Sequence, residues 1–241
     1  MKQPEPAGPS TLPRVDSAIA DALRGLATCD LANAIEATGI RLRNEGYMDS
    51  TVRCLFPEFP ALIGHALTLR VKTGDPPITG PRHVERDDWW EQFLSLPEPR
   101  LLVVKDEPND PASGSILGEV HAQIYRALGC GGVITDGAVR DLPALRALGF
   151  SVFSGHVSVS HAYAHVVEVG MPVIVGGLEI RTGDLLHGDI HGVLSIPLTV
   201  AHDLPAIAAR LKKRERDIIE YCRSSAFSVD GLKRLLDPDQ Q

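Results

Sequence analysis

Apolar positions recur at helical spacing near the start of the chain, where Val15, Ile19, Leu23 and Leu26 fall on one face. A second helical segment is predicted from about Cys29 to Thr38, with Gly39 placed to end it. Residues 40–72 read as short extended pieces, and Ala66 to Val71 alternates as a strand does. From Leu101 the pattern alternates between strand and helix. Strands are predicted at Leu101–Val104, Gly132–Thr135 and Ser151–Phe153, and helices near Ser115–Leu128 and Leu142–Leu148. Such alternation implies an α/β fold with some parallel strands. From Val166 the chain reads as strand after strand, turning at Gly176-Gly177 and Gly183-Asp184, until Ile196-Pro197. A last amphipathic helix is predicted from about Val200 to Cys222.

Three regions stand apart. Residues 1–14 carry four prolines and read as a disordered leader. Residues 73–99, rich in proline and charge, read as an insertion or lid with one short helix from Asp87 to Leu96 bearing Trp89, Trp90 and Phe93. Residues 224–241 read as a C-terminal tail. No internal repeat divides what lies between, so 15–223 is expected to form a single α/β domain with a layered or barrel-like sheet.

Composition narrows the function. A net charge of −7 over 241 residues argues against a general nucleic-acid binder, which needs a basic surface. The one basic run, Arg210 to Arg216, falls within a helical pattern and reads as a solvated or interfacial face. The four cysteines show no paired or zinc spacing, and no apolar run reaches the ~20 residues of a membrane span. A cytoplasmic protein without membrane partners is expected.

The chemistry concentrates between Gly114 and Pro143. The apolar run Gly132-Val133-Ile134 leads into Thr135-Asp136-Gly137-Ala138-Val139-Arg140-Asp141, with Asp136-Gly137 read as a sharp turn. Arg140 and Asp141 then stand at a strand exit, where α/β sheets bind ligands. Equally, Asp141 could simply cap the following Leu142-Pro143 helix and Arg140 be a surface cation. Glu119 follows Gly118 at a predicted helix start, where the Gly118 to His121 backbone could cradle a carboxylate. A plain N-terminal acid favoured by the helix dipole explains Glu119 as well. In the last helix Glu215 interrupts the apolar stripe of Val200, Leu204, Ile207, Leu211, Ile218 and Cys222. It either pairs with Lys212 or Arg216 or points into a neighbouring subunit's cleft. The histidines His156, His161, His165, His187 and His191 match no metal signature, and neither GxSxG nor a P-loop occurs.

These residues resemble the RraA-like family, which unites regulators of ribonuclease activity with class II pyruvate aldolases. The resemblance covers roughly residues 28 to 220 and rests on Leu55-Phe56-Pro57, Gly118-Glu119, Asp136 to Asp141, Val173 to Gly177, and Gly183-Asp184-Leu185-Leu186 through Gly192-Val193 to Pro197. Its specific element is an acid, twenty residues, then Arg-Asp. It implies a layered αββα-type domain with a swivelling-domain-like sheet core and a C-terminal helix, assembled as a homotrimer or hexamer.

For function the resemblance implies that Asp141 is the protein ligand to Mg2+ or Mn2+. Arg140 would hold a keto oxygen that becomes an enolate, and amides near Val120 and His121 would bind the substrate carboxylate. Glu119 and Glu215, the latter from the adjacent subunit, would handle the proton. The expected activity is cleavage of a 4-hydroxy-2-oxo acid such as 4-hydroxy-4-methyl-2-oxoglutarate to pyruvate, with oxaloacetate decarboxylation as a second activity. A non-catalytic inhibitor of an endoribonuclease is the alternative; a methyltransferase is poorly supported, because no glycine-rich nucleotide loop follows the first strand of this chain. Two positions depart from the family: Glu119 stands where its aldolases carry aspartate, and the 73–99 insertion is longer than its norm.

Overall fold

The computed structural model describes residues 15–76, 89–107 and 114–236. The leader, residues 77–88 of the 73–99 segment (among them Arg82, His83 and Arg86), residues 108–113 and the last five residues lie outside them.

In chain order the described elements begin with α1 (Ser17–Arg24), α2 (Thr28–Thr38), β1 (Arg53–Cys54), β2 (Leu62–Lys72), α3 (Trp90–Leu94) and β3 (Arg100–Asp106). Then come β4 (Ser115–Leu117), α4 (Glu119–Ala127), β5 (Cys130–Val139), α5 (Leu142–Leu148) and β6 (Ser151–Val157). The chain continues through β7 (His165–Val169), β8 (Val173–Val175), β9 (Leu178–Ile180), β10 (Leu185–Asp189) and β11 (Gly192–Ile196), and closes with α6 (Leu204–Arg223) and α7 (Val229–Leu236). Nine strands form one mixed sheet in the order β1-β6-β5-β3-β2-β10-β11, with β4 beside β5 and β7 beside β2. β8 and β9 form a separate antiparallel ribbon. The α/β reading therefore holds.

Strand alternation sorts the core into two faces. On β2 and β3 the side chains of Leu67, Leu69, Leu102 and Val104 join a cluster with Phe93, Ala122 and Leu145 of α3, α4 and α5. Farther along the same face of β2, Ile63 joins Leu185 and Ile196 beneath α1, α2 and α6. Ala66, Leu101, Val103 and Ile134 point the other way, against Val173, Val175 and Ile180 of the ribbon. Trp89 is buried in the first cluster, so the described end of the 73–99 segment packs into the domain.

Several boundaries differ from the sequence reading. Ser115–Leu117 is a strand parallel to β5, and the helix begins only at Glu119, because Gly118 takes an extended conformation at its N-cap. Asp136-Gly137 is not a sharp turn: β5 runs through it, and the register against β6 shifts between Thr135 and Ala138. The irregularity is held by Gly137 N–H donating to Thr135 Oγ1 (2.9 Å) and Ser154 Oγ donating to the Gly137 carbonyl (2.8 Å). The last long helix starts at Leu204, with Pro205 in its first turn, where proline's missing N–H costs nothing. The segment read as a tail carries α7.

At Gly132 a Cβ would lie 2.5 Å from the Ser151 carbonyl oxygen, which is fixed backbone of β6. Gly132→Ala is therefore expected to destabilise the fold by about 1–3 kcal/mol, read as a lower urea midpoint. An unchanged midpoint would show that β5 and β6 can separate locally.

Candidate functional site

Strands β2, β3, β5 and β6 run parallel, so their C-terminal ends share one edge of the sheet. Ligands of α/β sheets bind beyond this edge. Arg140 and Asp141 follow the last residue of β5 directly. β4 lies beside β5, which brings Gly118 and the first turn of α4 to the same place. The Arg140 amide donates to the Leu117 carbonyl at 2.9 Å and locks the two segments together.

Asp141 has a backbone φ of 59° and ψ of 35°, the left-handed conformation that costs an L-residue about 1–2 kcal/mol. Its carbonyl oxygen accepts from the amides of Ala144 and Leu145, which begins α5. Its side chain makes no cap to that helix. Instead Oδ2 accepts the Glu119 amide at 3.0 Å and faces Arg140 Nε at 3.5 Å. The capping alternative for Asp141 is thus set aside: the strained turn aims its carboxylate away from α5 and at the start of α4. Stability does not explain the arrangement, because an ion pair this exposed contributes at most about 1 kcal/mol. Strained backbone of this kind gathers at functional sites.

Gly118 is required by the closeness of these groups. A Cβ there would lie 2.6 Å from Asp141 Oδ2 and 3.0 Å from Arg140 Nε. Both are ends of flexible side chains, so Gly118→Ala should move the site rather than unfold the protein. For the pyruvate-releasing activity that the resemblance implies, we expect about a tenfold loss in a coupled assay, with a melting temperature within a few degrees of wild type. A fully active variant would show that the Arg140 and Asp141 positions are not critical.

With the Glu119 amide engaged by Asp141, the next amides of the turn belong to Val120 and His121. An α-helix supplies no acceptor of its own to these positions, and its dipole favours an anion there. The Glu119 carboxylate lies on the same turn. Gly118, Glu119, Val120, His121, Arg140 and Asp141 are therefore brought together.

Glu215 is not among them. It lies on α6 and lines a surface groove of about 340 Å³ with Asn33, Glu36, Ala37, Arg43 and Leu211. Lys212 pairs with Asp30 at 2.6 Å rather than with Glu215.

Other polar groups at this sheet edge escaped the sequence reading. Asp136 is a structural acid: Oδ1 accepts the Asp106 amide at 3.0 Å, and Oδ2 pairs with Lys105 Nζ. Asp106 is buried and accepts the Thr73 hydroxyl. A cavity of about 540 Å³, bounded by Trp89, Trp90, Leu117, His121 and Tyr125 among others, was also unforeseen. Its one signal in the sequence was the aromatic set at 89, 90 and 93.

As to a metal, Asp141 Oδ1 has no protein partner among the described residues, and Glu119 lies on the facing turn. No group of three or more His, Cys, Asp or Glu is placed to hold an ion among the described residues. This donor set fits Mg2+, which keeps most of its waters and takes one or two carboxylates, better than zinc.

The fold and the site define an α/β protein that gathers a helix start, an arginine and a fixed carboxylate at one edge of its sheet. Residues 28–195 match the RraA-like family (Aldolase/RraA), and the chain belongs to it. A protein of Halalkalibacterium halodurans provisionally named a 4-hydroxy-4-methyl-2-oxoglutarate aldolase is 28% identical over 191 residues, which cover 79% of this chain and 83% of that one. Among solved structures, a protein from Pseudomonas syringae pv. tomato superposes with a TM-score of 0.69 at 20% identity, covering 93% of this chain and 99% of that one. Streptomyces coelicolor RraAS2, described as an unusual member of the RNase ES inhibitor RraA family, superposes with a TM-score of 0.65 at 22% identity, covering 84% and 96%. These two likenesses concern the fold. No described helix is long and apolar enough to cross a membrane.

Proposed function

We propose that the protein is a divalent-metal-dependent lyase that cleaves a 4-hydroxy-2-oxo acid, such as 4-hydroxy-4-methyl-2-oxoglutarate, to pyruvate. The observation that carries this reading is the strained Asp141, whose carboxylate is held between the Glu119 amide and Arg140 at a helix start. The amides of Val120 and His121 bind the substrate carboxylate. Arg140 sits beside them to receive the charge that develops on the keto oxygen as the C3–C4 bond breaks. Glu119 orients the water that takes the proton from the 4-hydroxyl. Asp141 would hold Mg2+ or Mn2+, which would supply Lewis-acid polarisation of the keto acid. Oxaloacetate decarboxylation develops charge on the same oxygen and is expected as a second activity.

Glu215 completes the proton path only from a second copy of the chain, since in its own chain it lines the α2–α6 groove. A homotrimer or hexamer meets that requirement. The protein named as an aldolase supports the lyase reading, and the membership of ribonuclease inhibitors in the family supports the alternative of a non-catalytic inhibitor.

Pyruvate release, coupled to lactate dehydrogenase, separates the two. With 4-hydroxy-4-methyl-2-oxoglutarate or oxaloacetate as substrate, turnover should need Mg2+ and vanish with excess chelator. No turnover above the metal-only background, together with a specific complex with an endoribonuclease, would decide for the inhibitor.

A further inference from the structure

We propose that the cavity beside the cradle takes the tail of the substrate, and that this tail is apolar rather than a second carboxylate. The inference rests on the keto-acid reading above and narrows its substrate class, ranking acids with an apolar C4 group above the dicarboxylate 4-hydroxy-4-methyl-2-oxoglutarate. The cavity, of about 540 Å³, has the volume of a small-ligand pocket. It shares residues with the site. Leu117, whose carbonyl accepts the Arg140 amide, lies in its wall, and so does His121, from the first turn of α4. A molecule whose carboxylate rests on that turn therefore has this space next to it.

The walls fix the chemistry. Trp89 stands edge-on to Tyr125 with ring centroids 5.6 Å apart and to Trp90 at 6.4 Å. Leu69 and Val104 close the sheet side. No Lys, Arg, Asp or Glu is among the described residues that line the cavity. His121, Tyr125 and His165 are the polar groups of the wall among the described residues, so a carboxylate taken from water into this space would lose its hydration without gaining a lysine or arginine there. An aliphatic or aryl group gains about fourfold in affinity for each methylene it buries. The favoured substrates are 4-hydroxy-2-oxo acids with an alkyl or aryl group at C4. For these the 4-hydroxyl proton leaves to water, the C3–C4 bond breaks, and C4 departs as an aldehyde or ketone. The bond's electron pair passes to the enolate of pyruvate, which takes up a proton at C3.

The test compares two keto acids with the same head and different tails, 4-methyl-2-oxopentanoate and 2-oxoglutarate. The chain's two tryptophans both lie in the cavity wall, so intrinsic fluorescence reports on it directly. With Mg2+ present, the apolar acid should bind at least tenfold tighter than 2-oxoglutarate. Trp90→Ala, measured by calorimetry, should bring that ratio toward one. Equal or tighter binding of 2-oxoglutarate, or no change of fluorescence with 4-methyl-2-oxopentanoate, would overturn the apolar tail. Oxaloacetate decarboxylation in the same preparation judges the head-group chemistry separately. If decarboxylation persists without the binding preference, only the tail assignment falls; if the preference persists without decarboxylation, only the lyase reading falls.

Discussion

Arg140→Ala should lower pyruvate release from both 4-hydroxy-2-oxo acids and oxaloacetate by about a hundredfold to a thousandfold, the usual cost of removing a group that stabilises developing negative charge. The fold should survive. The Arg140 side chain is 36% exposed and its ion pair with Asp141 is long at 3.5 Å, so stability should change by no more than about 1 kcal/mol. Arg140→Lys should recover only part of the activity, because an ammonium keeps the charge but lacks the planar fork of donors. The measurement is a coupled assay beside a urea melt of each variant. Near-native turnover of Arg140→Ala would remove Arg140 from the chemistry.

Acid should weaken the fold through a group far from that site. His187 is fully buried on β10, with Nδ1 3.0 Å from Thr28 Oγ1 and the ring close to the Leu23 and Leu26 backbone. Burial pushes its pKa down to about 4, against about 6.5 for an unfolded histidine. Above pH 6.5 the ring is neutral in both states and costs nothing. Between pH 6.5 and 4 the unfolded chain binds a proton that the folded chain refuses, so stability falls by about 3 kcal/mol as pH drops through that window. His65, also buried, with Nδ1 3.0 Å from the Gly183 carbonyl, is shifted in the same direction by burial and adds to the loss. Urea melts at pH 7, 5.5 and 4.5 would show it. His187→Gln should be less stable at pH 7 but lose markedly less stability on acidification. Equal losses in the two proteins would exclude His187 as the source.

Both predictions depend on groups that the sequence made visible to different degrees. Arg140, Asp141 and Gly118-Glu119 were legible because their chemistry is local: an acid at a helix start, and adjacent opposite charges where an apolar strand ends. The alternation of periods also disclosed the α/β class and most of the helices and strands. What local pattern could not decide was the direction of the Asp141 side chain. A residue before Leu-Pro at a helix start has the composition of a cap. Only its left-handed backbone and the parallel pairing of β4 with β5 turn the carboxylate toward Glu119. For the same reason Ser115–Leu117 was read as helix: a three-residue strand has too short a pattern to announce itself, and its partner lies more than twenty residues away.

His187 and Asp136 illustrate the complementary failure. His187 was one of several histidines that match no metal signature, and nothing in its spacing shows that it is buried with Nδ1 against Thr28 of α2. Asp136 sat inside the family motif, yet it pairs with Lys105 and the Asp106 amide of the neighbouring strand. Neither fate follows from spacing, because each depends on which strands become neighbours.

The sequence by itself determined the fold class and the family, and it put six of the seven candidate residues on two short segments, since periodicity, helix-start chemistry and the acid-to-Arg-Asp interval are all properties of the chain in order. The tertiary structure alone decided that a side chain at Gly118 would press on Asp141 and Arg140, that Glu215 stands apart from the other six within one chain, and that an aromatic cavity adjoins the start of α4. These are facts about distances between segments remote in sequence, and such distances exist only once the sheet has paired and the helices have packed on it.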